Sequence, residues 1–183
     1  MVIVESLLME QQLYAAIHEG QIEMAKAVIP GRRDSRTNAN VSDINWRNSG
    51  HYGRIILHIA AQTGCDTIIR LLLLRHDLAI NQQDDYGYTA LHTACNYGRT
   101  SCVRLLLSHF DIKIGLVTTS GPTPLNLVVE RGRRHIIILL NSFNADPRRA
   151  IFGLKMKLDL VADFFVLILF VCDGLLKVKK TYR

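Results

Sequence analysis

The side chains able to do chemistry are seven histidines and four cysteines, and neither set has the spacing of a reactive or metal-binding site. No two histidines stand four residues apart, as helical metal ligands do, and the cysteines form no C-x-x-C pair. Glycine-rich phosphate-binding motifs and nucleophile elbows are also absent from the sequence. We therefore expect a protein without catalytic, cofactor-binding or metal-binding residues, whose cysteines are small buried thiols: Cys65, Cys95, Cys102 and Cys172.

The net charge of +6 is concentrated near the C-terminus. Before residue 148 basic and acidic residues nearly balance, and we identify one local basic cluster there, Arg32, Arg33 and Arg36. Such a distribution disfavours nucleic-acid binding, which needs a dense basic face. With 183 residues, 49% of them apolar, and an N-terminus that lacks a signal-peptide pattern, we expect one folded unit inside the cell, in the cytoplasm, where its thiols stay reduced.

The elements that position these side chains follow a repeat. Three similar segments, 57–64, 91–98 and 125–132, recur at a constant offset, and segment 13–20 precedes the first of them at a longer one. Each segment ends in glycine and is followed by a second apolar set spaced by three and four residues, as on a helix. Every unit is therefore predicted to be two helices joined by a glycine turn, with leucines that only a neighbouring unit can bury.

Two segments carry a resemblance to a known family. Residues 87–94, GYTALHTA, and residues 121–125, GPTPL, resemble the ankyrin signature G-x-T-P-L-H-x-A. The resemblance spans about residues 6–146 and implies an all-α solenoid of stacked helix pairs with β-turn fingers, used for protein binding and not for catalysis. It also implies that His58 and His92 hydrogen-bond to neighbouring backbone. The units it predicts are 6–30, 53–80, 87–114 and 121–146, with a long finger insertion over 30–53.

The sequence departs from the signature at several positions. Ile55 replaces the capping threonine of the second unit, and Asn126 replaces the histidine of the fourth, so we expect the first turns of these units to be held less well. His76 and Phe110 stand where the family usually has glycine after the second helix. We therefore expect irregular fingers after the second and third units.

Partner contacts in such a stack are expected from finger tips and from the exposed side of the first helices. Trp46, the single tryptophan, lies in the insertion, where it either anchors a partner or folds back as packing. Solvated surface without a partner remains the alternative at each position. The predicted finger residues are Trp46, Arg47, Tyr52, Arg54, Tyr86 and Tyr88, and the predicted helix residues are Gln62, Asn96, Tyr97, Glu130 and Arg131.

The segment 147–183 is predicted to be a C-terminal helical cap or a hydrophobic tail. Asp146-Pro147 predicts a helix start, and a second helix is expected over 159–176. Its charge-free stretch, 164–172, reaches about 14 Å as a helix, against about 30 Å of bilayer hydrocarbon. Three interpretations stay open for it: a cap on the fourth unit, a membrane anchor, and an interface to a partner or to further chain.

The sequence as a whole predicts a non-enzymatic, intracellular protein–protein interaction module or adaptor with an unknown protein partner. Two alternatives remain. One is a membrane-anchored adaptor held by helix 159–176, and the other is a regulatory fragment of a larger protein. No small-molecule substrate is expected, nucleic acid is disfavoured as a partner, and membrane association is possible but not favoured.

Overall fold

The computed structural model describes residues 11–29 and 43–157, and these residues form an all-α fold with no strand among them. Residues 11–18 are helical and are called α1. The remaining elements are α2 (Ile22–Val28), a 3-10 turn (Ser49–His51), α3 (Ile56–Thr63), α4 (Asp66–Leu73), α5 (Ala90–Tyr97), α6 (Thr100–Leu107), α7 (Pro124–Glu130), α8 (Arg134–Ala145) and α9 (Pro147–Lys157). The predicted fold class is confirmed.

The helices stack in two layers. In the inner layer α3 packs against α5 and α5 against α7, whereas in the outer layer α2, α4, α6 and α8 pack in that order. Each inner helix also packs against the outer helix that follows it. Because every pair contacts its neighbours in sequence order, the described residues form a solenoid, as the repeat predicts.

One continuous apolar core runs through the stack. It extends from Leu13 in α1, through Leu57 and Leu91 in the inner layer, to Phe143 in α8. Leu57 and Leu91 occupy equivalent positions in successive units, and both are fully buried. Burial of such a side chain stabilises the fold by about 1.5–3 kcal/mol, and that stabilisation requires the neighbouring unit.

The inner helices begin with caps made by their own first turns. Thr89 Oγ1 accepts a hydrogen bond from the His92 amide at 3.3 Å, and His92 Nδ1 accepts one from the Thr89 amide at 3.2 Å. In α7 the Asn126 side-chain oxygen accepts from the Thr123 amide at 2.9 Å. The expectation of a poorly held first turn in the fourth unit is therefore wrong. The side-chain oxygen of Asn126 accepts the same hydrogen bond that the ring of His92 accepts one unit earlier.

The start of α3 has half of this cap. Ile55 offers no side-chain acceptor, as its type predicts. Its amide nevertheless donates to His58 Nδ1 at 3.2 Å. The ring of His58 thus satisfies one of the backbone donors that a helix leaves free at its N-terminus.

The fingers are regular, contrary to expectation. Each turns on a glycine with positive φ, +67° at Gly53, +76° at Gly87 and +102° at Gly121. The Asp84 amide donates to the Tyr88 carbonyl at 2.8 Å, and at the equivalent positions one unit later the Thr118 amide donates to the Pro122 carbonyl at 3.0 Å. The fingers of the third and fourth units are hence the same tight turn repeated.

The outer helices end without the glycine on which the expectation of irregular fingers depended. The helix C-caps, Leu74 after α4 and Ser108 after α6, keep right-handed backbone angles and donate hydrogen bonds back into their own last turns. Asparagine side chains then hold the following linkers: Asn45 accepts from the Ala79 amide at 2.8 Å, and Asn81 accepts from the Lys113 amide at 2.9 Å. The linkers are thus held by side chains from the preceding unit, in the absence of a glycine cap.

The fourth unit is followed at once by α9. Asp146 accepts a hydrogen bond from the Arg149 amide at 3.1 Å, which confirms the predicted helix start. Helix α9 packs against α6 and α8, with Leu154 buried. The predicted helix 159–176 and residues 30–42 of the finger insertion lie outside the described residues. Among the helices that are described, none combines the length and apolar character needed to cross a bilayer.

Candidate functional site

A pocket of about 400 Å³ lies where the fingers meet the inner helix α5. Its walls come from three parts of the chain: the start of the second unit, the finger and helix of the third, and the finger of the fourth. We call it the tyrosine pocket, and it is lined by Arg54, Tyr86, Tyr88, Thr93, Asn96, Tyr97, Thr119 and Ser120.

The tyrosines at the rim are carried by fingers that are bonded to one another. The Asp85 amide donates to the Tyr52 carbonyl, and the Thr119 amide donates to the Tyr86 carbonyl, both at 2.9 Å. The rings of Tyr52 and Tyr86 lie 5.2 Å apart between centroids, and both side chains are about half exposed. These bonds fix two aromatic rings side by side in contact with solvent.

A buried carboxylate gives the third finger its shape. The side chain of Asp84 is fully buried and accepts from the amides of Tyr86 at 3.0 Å and Tyr88 at 2.9 Å. Arg54 Nε donates to Asp84 Oδ2 at 3.3 Å, and its Nη1 donates to Gln62 Oε1 at 3.1 Å. The guanidinium therefore links finger to helix, and the Asp84 carboxylate compensates its charge.

His58 connects the second unit to the third beneath the pocket. Its Nδ1 accepts a hydrogen bond from the Ile55 amide, so Nε2 carries the proton in the neutral ring. Nε2 then donates a hydrogen bond to the Tyr88 carbonyl at 2.8 Å. Burial lowers the pKa of His58, although the Tyr88 carbonyl acts in the opposite direction. The backbone-bonding role implied by the family resemblance is thus present at this position.

His92 occupies the equivalent position one unit later but has only half of these bonds. Its Nδ1 is engaged by Thr89, whereas Nε2 is buried and meets no acceptor within hydrogen-bonding geometry. Burial lowers the pKa of His92, and the nearby carbonyls of Pro122 and Leu116 oppose that shift. Protonating this ring would add charge to a buried site, so the neutral form is favoured.

The comparison with known families settles which fold this is. A model of ankyrin repeats in three copies matches residues 57–151, more than half of the chain. The chain belongs to the ankyrin-repeat family. A search of curated proteins gave no match. Ankyrin repeats are generally protein–protein interaction modules and typically have no enzymatic activity.

In this ankyrin-repeat protein the structure brings seven of the eleven predicted contact residues together. Five of them line the tyrosine pocket, and two more border it through bonds already described. Tyr52 contacts Tyr86, and Gln62 accepts from Arg54. The five that line the pocket are Arg54, Tyr86, Tyr88, Asn96 and Tyr97.

The other four predicted residues lie outside the tyrosine pocket. Trp46 is partly buried in the segment that precedes the second unit. Arg47 pairs with Asp85 at 2.6 Å, with about half of each side chain exposed. Glu130 and Arg131 are exposed where α7 ends. The predicted set is therefore one cluster and two separate surface positions, not a single continuous face.

Sequence reasoning missed two features of this ankyrin-repeat protein. Thr119 and Ser120 line the pocket because the fourth finger packs against the third. The repeat offset, which relates these two residues to Asp85 and Tyr86, was the signal that could have found them. The second feature is a basic cluster at Arg131, Arg133 and Arg134, in addition to the predicted cluster of Arg32, Arg33 and Arg36. Its signal was visible in the run RGRRH at residues 131–135.

The thiols among the described residues are free cysteines. Burial raises the pKa of the Cys95 thiol to about 12, and it also raises the pKa of Cys102. A thiol with a raised pKa carries almost no thiolate at neutral pH, so neither sulfur is activated as a nucleophile. Within the ranges 11–29 and 43–157, no group of His, Cys, Asp or Glu side chains could hold a metal ion.

Proposed function

We propose that this ankyrin-repeat protein is a non-catalytic adaptor that binds an intracellular protein partner at the tyrosine pocket and the fingers around it. The observation that carries the proposal is that five predicted contact residues, four from the third unit and Arg54 from the second, line one pocket. Family membership supports protein binding in general, and the pocket supports the location.

The chemistry of the pocket suits recognition by contact. Tyr52, Tyr86 and Tyr97 expose 55%, 49% and 41% of their surfaces, and tyrosine is over-represented among the residues that dominate binding energy. A tyrosine ring brings a large contact area with few rotatable bonds, and the bonded fingers hold these rings in place before a partner arrives.

The polar groups of the pocket add direction to this contact. Thr93, Thr119 and Ser120 provide hydroxyls, and Asn96 provides an amide. Arg54 is already bonded to Asp84 and Gln62, so it presents a compensated charge rather than a free one. No lining residue is a carboxylate, imidazole or thiol that would serve as a general base. The arrangement favours a partner side chain that is partly apolar and forms hydrogen bonds at its tip.

The test compares the pocket with exposed aromatic residues elsewhere. Proximity labelling in cells identifies partners, and the affinity of each purified partner is then measured for wild type and for two double variants. Tyr86→Ala with Tyr97→Ala removes two rings of the pocket. Phe110→Ala with Phe152→Ala removes two exposed rings, 74% and 48% accessible, at the end of α6 and on α9.

We expect the pocket variant to bind its partner at least tenfold more weakly, because central aromatic residues carry about 2 kcal/mol or more each. The matched control should bind within twofold of wild type, and circular dichroism should show that both variants are folded. Unchanged affinity in the pocket variant would contradict the proposed site. A loss confined to the control would place the interface on the outer layer.

A further inference from the structure

We propose that the turns between inner and outer helices form a second binding surface, which takes an acidic segment of a protein partner. We call it the arginine edge and define it by Arg99 in the α5–α6 turn, Arg131 and Arg133 in the α7–α8 turn, and Arg134 at the start of α8. It shares no lining residue with the tyrosine pocket, so it goes beyond the function proposed above.

The arginine edge is built by the repeat itself. Gly64 has φ +84°, and a methyl group placed on it would lie 3.1 Å from Cδ of Arg99. The Arg99 side chain therefore crosses the turn of the preceding unit. Gly98, the equivalent glycine one unit later, has φ +68°, and a methyl group there would overlap the guanidinium of Arg133. Arg99 and Arg133 thus each extend over a glycine of the preceding unit.

A notch of about 340 Å³ lies beside these side chains. Arg131, Arg133 and Arg134 line it, together with Gly98 and Thr100 from the preceding turn. The three arginines are exposed. A concave surface that displays three guanidinium groups is a local concentration of positive potential.

This charge has no acidic counterpart in the notch. None of the residues that line it is a carboxylate. Glu130, next to Arg131, is exposed at the end of α7 and is not among the lining residues. Within the described part of the chain, the ion pairs the structure shows use other arginines: Arg47 with Asp85, Arg54 with Asp84, and Arg75 with Asp77.

The geometry points to carboxylates on an extended peptide. Guanidinium groups bind carboxylates through paired, charge-assisted hydrogen bonds. Arg99 and Arg133 are one unit apart, about 10 Å for packed helices, which an extended chain spans in about three residues. A flat lipid surface does not enter a notch, and no Phe, Tyr or Trp lines it to stack on nucleic-acid bases. An acidic protein segment is therefore the partner that fits.

The test uses the full chain and a fluorescently labelled peptide of alternating glutamate and serine, with a glutamine version as control. Anisotropy gives the affinity at low and at physiological ionic strength. The edge variant combines Arg131→Gln, Arg133→Gln and Arg134→Gln. A matched variant removes the same charge from exposed positions elsewhere, by Lys113→Gln, Arg148→Gln and Lys157→Gln. A further variant, Arg131→Gln with Arg134→Gln, leaves Arg133 in place over Gly98.

We expect the edge variant to lose about tenfold or more in affinity for the glutamate peptide, and the matched variant to stay within about twofold. The double variant should show an intermediate loss, and the glutamine peptide should bind at least tenfold more weakly than the glutamate peptide. Equal losses in the edge and matched variants would show diffuse charge attraction and overturn the proposal. Tighter binding of single-stranded RNA, or of phosphatidylserine vesicles, at the same ionic strength would overturn it as well. Loss of the tyrosine-pocket interaction leaves this result unaffected, so the two proposals fail separately.

Discussion

The third and fourth units have nearly the same motif but very different burial. Leu91 and Cys95 of α5 are fully buried, whereas their equivalents in α7, Leu125 and Val129, are half-buried and 57% exposed. The difference arises because α5 packs between α3 and α7, while α7 packs against α5 on one side only within the described residues. Within the described residues, the burial of a motif residue thus depends on whether inner helices pack on both sides of it.

The sequence of the fourth unit already reflects this position. Asn126 stands where the third unit has the buried His92, and Asn141 stands where it has the buried Leu107. Both asparagines are exposed. Polar residues at positions that an internal unit buries are typical of the end of a stack.

The largest expected difference between the units concerns their leucines. Leu91→Ala removes a fully buried side chain and should lower the free energy of unfolding by about 2–5 kcal/mol. Leu125→Ala, at the equivalent half-buried position, should lower it by about 1–2 kcal/mol, in proportion to the smaller area removed from water. Urea denaturation of both variants gives the comparison. Equal losses would show that the fourth unit is covered as completely as the third.

Alanine substitutions of the glycines that end the inner helices should give a smaller difference in the free energy of unfolding. Gly98 and Gly132 have φ +68° and +64°, so alanine is strained at both by about 1–2 kcal/mol. At Gly98 the new methyl group would also displace Arg133, whereas nothing lies within 4 Å at Gly132. We expect Gly98→Ala to be the more destabilising by about 1 kcal/mol in thermal and urea unfolding. The reverse order would contradict the arrangement of Arg133 over Gly98.

Removing the helix caps should give a still smaller difference in stability between the third and fourth units. Thr89→Ala removes a buried cap and should destabilise the protein by about 1 kcal/mol or slightly more. Thr123→Ala removes a half-buried cap and should have about half that effect, because water can replace the lost hydroxyl. Urea denaturation midpoints give both values, and an equal or larger effect at Thr123 would contradict the prediction.

The smallest effect is a dependence of stability on pH that comes from the buried histidines of the second and third units. Burial lowers the pKa of His58 and His92, so below about pH 6.5 the unfolded chain binds protons that the folded protein does not. The free energy of unfolding should therefore fall as the pH is lowered from 7 to 5. His92→Asn copies the fourth unit and should reduce that slope, as seen in urea midpoints across this range.

Asn126→His provides the control for this prediction. The side chain at position 126 is exposed, so a histidine there lacks the burial that lowers the pKa of His92 and should change the slope by less than His92→Asn does. A slope that His92→Asn does not alter would assign the pH dependence to other groups.

The repeat period was sufficient to predict the helix pairs and the glycine turns that join them. It also brought most of the tyrosine pocket together, because Tyr86, Tyr88, Asn96 and Tyr97 belong to one unit. The repeat period could not predict positions at which a different residue type forms the stabilising hydrogen bond. Asn126 replaces a histidine as a cap acceptor, and Asn45 and Asn81 hold linkers that lack the usual glycine.

Charge was the property least well judged from the sequence. The basic surplus lies in residues 148–183 of the sequence, whereas Arg99 and the arginines at 131–134 lie along one edge only because equivalent turns stack side by side. Trp46 and Arg47 were grouped with the finger tyrosines by sequence proximity. The structure separates them because Arg47 extends to Asp85 rather than into the pocket.

Two of the bonds between successive fingers join main-chain atoms: the amide of Asp85 donates to the carbonyl of Tyr52, and the amide of Thr119 donates to the carbonyl of Tyr86. Alignment of the fingers therefore does not depend on which side chains stand at positions 52 and 86. Replacing either tyrosine, at position 52 by a residue that tolerates its φ of 60°, would therefore change the side chain that the finger presents and leave these main-chain bonds in place.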